Sequence, residues 1–149
     1  MKKYKVGFQI GGLILFLLIM LPNFYWFAVP APHDIFRAES VTPTLDRIAS
    51  VAQVLMVIAL CTLAGRDRKR IGRSPLIIAV VICCLLYYAG WVCYYRGVTN
   101  AAVVLDLCLA PCLAFLFFSL DRKNLIAVIP LLVFAVFHTV HGIMNLILP

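Results

Sequence analysis

Long apolar runs alternate with short polar gaps along this chain, and five of the runs reach about 20 residues, the length a helix needs to cross a bilayer core. They extend from Val6 to Phe27, Leu45 to Ala64, Pro75 to Tyr95, Ala101 to Leu120 and Leu125 to Ile147. The pattern predicts an all-α integral membrane bundle of five transmembrane helices, a single transmembrane domain over residues 1–149. The longest gap, VPAPHDIFRAESVTP between the first two runs, carries prolines at 30, 32 and 43 that discourage helix. Thr42 or Thr44 at its end suits the cap of the second helix.

Polar side chains inside apolar spans are costly, so their positions carry information. At a rise of about 1.5 Å per residue, Asp106 enters about 8 Å below one end of its span, His141 about 9 Å, His138 about 14 Å, Gln53 about 12 Å and Asn23 about 6 Å. All five depths fall in the half of the membrane nearest the proline-rich loop. Helical spacing groups them further. Asp46, Ser50 and Gln53 recur at i, i+4 and i+7, and His138, His141 and Asn145 at i, i+3 and i+7, so each set forms a stripe. Asp106 shares a face with Ala102 and Ala110, small residues of the kind found where helices approach closely, and is expected to point into the bundle. Tyr94 and Tyr95 suit the membrane edge, whereas Tyr87 and Trp91 lie deeper than that duty requires. These positions predict a polar pocket lined by Asp106, His138, His141, Gln53, Asn23, Tyr87, Trp91 and Asn145, with the loop lying across its mouth.

Charge sets the expected orientation. Lys2, Lys3 and Lys5 precede the first span, Arg66, Arg68, Lys69, Arg70 and Arg73 fill the second gap on the same side, and Arg122 with Lys123 follow the fourth span. Arg37, Arg47 and Arg96 fall on the other side. The positive-inside rule then predicts a cytoplasmic N-terminus and an external C-terminus in a multi-pass protein of the cell inner (plasma) membrane. MKKYK before an apolar run also fits a secretory signal, but prolines interrupt the small residues of AVPAP, and the segment is read as an uncleaved first helix.

The composition, 64% hydrophobic and 13% charged, excludes an ordinary soluble domain. A net charge of +7 would suit nucleic acid, but the basic residues cluster between apolar runs as topology signals, so no nucleic-acid partner is expected. None of the six cysteines forms a C-x-x-C pair, and all lie in apolar runs, where they read as small packing residues.

The chemistry these residues suggest is binding, with transport or sensing as its forms, of a small cationic, amphipathic or lipid-like ligand. Asp106 would be the charge anchor beneath aromatic faces. No cofactor is called for; the partners are membrane lipids, the small molecule, and a second copy or another membrane protein. One rival is a membrane metalloenzyme, since Asp106, His138 and His141 are zinc- or iron-binding types, although H-E-x-x-H is absent and a fourth ligand is not evident. The other is a non-catalytic accessory subunit of a membrane complex, in which hydrogen bonds from Asp106 to His138 or His141 only tie helices together. A proton relay through the histidines is a further reading. Hydrolysis by Ser50 has no G-x-S-x-G elbow behind it.

The run LPNFYWFAVPAPHDIFRAESVTPTLDRIASVAQVLM, with SLDRKNLIAVIP later, resembles a group of small multi-span bacterial membrane proteins. That resemblance implies the multi-span fold and brings no activity or site residue. Five helices and a pocket near one surface are also similar to the translocator protein architecture, a likeness that stops at helix count because that family's tryptophan- and proline-rich pattern is missing here.

Overall fold

Five helices make up most of the computed structural model, and each is long and apolar enough to cross a membrane. They are α1 (Ile10–Ala28), α2 (Pro43–Thr62), α3 (Pro75–Tyr95), α4 (Ala101–Asp121) and α5 (Leu125–Gly142). The chain after α5 makes one π-wound turn, Ile143–Ile147, with Leu148 N–H donating to the Ile143 carbonyl at 2.9 Å. Two short strands, β1 (Tyr4–Val6) and β2 (Leu63–Gly65), pair antiparallel with Tyr4 opposite Gly65. The structure describes residues 4–65, 72 and 74–148. Most of the basic residues that set the expected orientation (Lys2, Lys3, Arg66, Arg68, Lys69, Arg70 and Arg73) lie outside them.

Local chemistry explains where the helices begin. Ser74, Asn100 and Asn124 each accept a hydrogen bond from the backbone N–H three residues on, satisfying a donor that a helix start leaves unpaired. Pro43 and Pro75 occupy first-turn positions, where a missing N–H costs nothing. Thr42 precedes α2 but makes no capping bond; its hydroxyl is used elsewhere. Val6 and Leu63–Ala64, expected inside spans, are strand instead. Their backbone groups pair across β1–β2 and Gly65 N–H donates to the Arg122 carbonyl at 3.1 Å, partners that an apolar pattern cannot reveal.

The helices form a ring. α3 packs on α4, α4 on α5 and α5 on α2, while α1 rests more lightly against α2, α3 and α4. α4 is the most buried of the five, and α1 turns Ile14, Leu17, Leu18, Leu21 and Phe24 outward. Met56, Leu60, Val104, Phe115 and Leu131 form the innermost packing.

The end with β1 and β2 is drawn tight. Asn124, 1% exposed, accepts from Ala127 N–H through Oδ1 and donates through Nδ2 to the carbonyls of Ala59 (2.9 Å) and Leu63 (2.8 Å), tying α5 to α2. Gly12 lets α1 meet α2 backbone to backbone, since a Cβ there would lie 2.5 Å from the Leu60 carbonyl oxygen. The opposite end carries the loop between α1 and α2, and there the helices stand apart.

Candidate functional site

A cavity of about 380 Å³ opens at the loop end, lined by all five helices. The polar stripe of α2 faces it whole: Asp46, Ser50 and Gln53, one or two turns apart, all line the wall. So does the stripe of α5, His138 and His141, continued by Asn145 in the π-wound turn. Asn23 enters from α1, and Tyr87 and Trp91 from α3. Leu107, Pro111, Phe115 and Phe134 supply an apolar floor. Across the top lies the loop, contributing Ile35, Phe36, Ala38, Glu39 and Ser40. The structure thus brings together seven of the eight residues picked out from the sequence.

The eighth, Asp106, does not line the cavity. Its carboxylate faces α3, where Gly90 has no side chain to collide with Asp106 Oδ2. That oxygen is buried without a hydrogen-bond partner. Among the described residues no hydrogen bond or ion pair joins Asp106 to His138 or His141, nor do three or more His, Cys, Asp or Glu side chains cluster closely enough to share a metal ion. Asp106 points into the bundle, but its neighbour is a glycine rather than an imidazole, because its side of α4 packs on α3.

Two hydrogen-bonded networks frame the opening. In the first, Asn145 Oδ1 accepts from Val41 N–H at 2.6 Å, which fixes the amide so that Nδ2 donates to Thr42 Oγ1 at 2.6 Å and to the His141 carbonyl at 2.8 Å. Thr42 Oγ1, already an acceptor, can donate its own proton to His141 Nδ1, 2.9 Å away. These contacts fasten the end of α5 to the start of α2. His138 makes no hydrogen bond among the described residues, and its ring stacks on Phe134 at 4.9 Å.

The second network centres on Asp34, a residue sequence reasoning missed. Trp26 Nε1 donates to both carboxylate oxygens (3.0 and 2.9 Å), Tyr94 Oη to Oδ1 (2.8 Å) and Arg37 Nε to Oδ2 (2.9 Å). Burial alone would raise the Asp34 pKa, but these donors outweigh it and hold the carboxyl below its usual range. Arg37 also lies over the Trp26 ring at 4.9 Å and donates to the Trp26 carbonyl at 2.9 Å. Phe36, Trp26, Trp91 and Tyr94 pack as one aromatic group beneath the loop. The D-I-F-R spacing, with acid and base three apart, was the available signal for Asp34. Its partners Trp26 and Tyr94 come from helices that only the fold brings together.

Fold and cavity together define a class: a five-helix bundle suited to a membrane, with a polar and aromatic cavity under a strapped loop. Comparison with models of protein families, with curated proteins and with solved structures gives no match for this chain.

Proposed function

We propose that this chain is a multi-pass membrane protein that binds a small cationic or amphipathic molecule in the loop-end cavity. The observation that carries the reading is the lining, which among the described residues holds two carboxylates, Glu39 and Asp46, no lysine or arginine, and aromatic faces from Trp26, Phe36, Tyr87 and Trp91. A cation entering there meets carboxylate charge at the mouth and ring faces below, interactions that offset its loss of water. Asp46 and Glu39, not Asp106, then carry the charge. His138 and Gln53, without hydrogen bonds of their own among the described residues, supply adaptable polar contacts. The volume lies at the low end of the roughly 300–1,000 Å³ of small-molecule sites, which favours a small amphiphile over a two-chain lipid.

The excess of basic residues on one side supports a cytoplasmic N-terminus in the plasma membrane, with the cavity opening outward. A second cavity, of about 100 Å³, lies at the strand end and among the described residues shares no lining residue with the first. The separation favours binding or sensing over a continuous transport path.

Both tryptophans of the chain line the cavity, so intrinsic fluorescence reports on its occupancy. Titration with heptylamine is expected to give a saturable change, and the double substitution Glu39→Gln, Asp46→Asn to weaken it about tenfold or more. A linear, unsaturated response in the unaltered protein would overturn the binding reading. For orientation, alkaline phosphatase fused to the C-terminus should be active; an inactive fusion whose fluorescent-protein counterpart glows would reverse it.

A further inference from the structure

We infer that the cavity contains a subsite for a neutral oxygen acceptor, built by Trp91 and Tyr87, so that its ligand carries a carbonyl, ether or hydroxyl oxygen in addition to a positive charge. This rests on the binding reading above and narrows the ligand class.

Among the described residues three buried side-chain polar atoms lack a hydrogen-bond partner: Trp91 Nε1, Asp106 Oδ2 and Thr139 Oγ1. Only Trp91 of the three lines the cavity, and it is 7% exposed. A buried indole N–H left unpaired loses its hydration without compensation, whereas a partner oxygen in the cavity would restore it. Tyr87 stands one turn away on the same face of α3, its ring edge-on to Trp91 with centroids 6.3 Å apart. The Tyr87 hydroxyl accepts from Asn23 Nδ2 at 2.7 Å, and its own proton meets no acceptor among the described residues. Two neighbouring side chains of the wall therefore each hold a donor with no acceptor among the described residues.

The charge of the lining decides which oxygen belongs there. A carboxylate or phosphate would share the cavity with Glu39 and Asp46 and find no lysine or arginine among the described lining residues. A neutral oxygen pairs with the two donors and leaves the carboxylates to the ligand's cation. Asn23 positions the Tyr87 hydroxyl by donating to it while also donating to the Ile19 carbonyl at 3.2 Å, which holds the amide in place.

The test compares heptylamine with N-(2-aminoethyl)butanamide, an amine of equal chain length that carries one carbonyl. Both are titrated by tryptophan fluorescence into the detergent-solubilised protein, and the ratio of their affinities is read in the unaltered protein, in Tyr87→Phe and in Trp91→Phe, where Trp26 still reports. The ratio should shift against the amide by about tenfold in each variant, the scale of one well-made hydrogen bond. Unchanged melting temperature identifies the variant that remains folded, and either one suffices. A ratio that does not move in a folded variant overturns the subsite while leaving the cation site standing. Failure of both amines to bind the unaltered protein overturns both readings.

Discussion

The two ends of this bundle are closed by different means. At the strand end the main chain of α2 is held at close range: β1 pairs with β2, Gly12 brings α1 onto the Leu60 backbone, and the Asn124 side chain binds two carbonyls of the α2 terminus. At the loop end, side chains reach across gaps to hold the loop, through Asp34 on one side and through Thr42, His141 and Asn145 on the other. Backbone contacts leave little space because they require close approach. Side-chain struts span distance, and the space beneath them is the cavity.

The comparison breaks most visibly at Asn124. Asn124→Ala strands the Leu63 carbonyl and the Ala127 N–H, takes one of two donors from the Ala59 carbonyl and removes a helix cap, so it should cost about 3 kcal/mol. Thermal unfolding in detergent would measure it, and a loss below about 1 kcal/mol would mean the strand end does not depend on this residue.

Asp34→Ala should cost less, about 2 kcal/mol, because the loop can loosen while the helices stay packed. The distinguishing sign is local: faster proteolysis within the loop with little change at the strand end. The same carboxylate predicts a pH response. Its pKa is lowered on folding, so its contribution is fully present above the unfolded value near 3.8 and is lost as pH falls through the lower folded value. Trp26 emission should report that loss below about pH 4 in the unaltered protein, with no such transition in Asp34→Asn.

Thr42→Val removes the oxygen that joins Asn145 to His141, and about 1 kcal/mol is expected, again confined to the loop end. Asp106→Asn should have the smallest effect on amine binding, less than about twofold, since the carboxylate lies against Gly90 and outside the cavity. A large loss of amine affinity with intact folding would return Asp106 to the centre of the site.

Much of the architecture is legible along the chain because helices in apolar surroundings satisfy their own backbone, and the length of an apolar run then sets the element. The predicted and observed helices accordingly differ by a few residues at their ends. The stripes of α2 and α5 were equally readable, since helical periodicity places Asp46 with Gln53 and His138 with Asn145 whatever the rest of the molecule does. Asp106 and Asp34 show where that reasoning stops. Both are acidic residues near the loop end; one packs against Gly90 outside the cavity lining, and the other becomes a hub because Trp26, Arg37 and Tyr94 converge on it.

By itself, then, the sequence determined five apolar helices and the polar stripes of α2 and α5, because both follow from spacing and hydropathy within a single segment. The tertiary structure decided which polar sides meet. Neighbour relations around the ring, the light seating of α1 and the path of the loop depend on contacts between distant segments, and those contacts turn Asp34 into a latch, Asp46 into a wall of the cavity and Asp106 into a neighbour of Gly90.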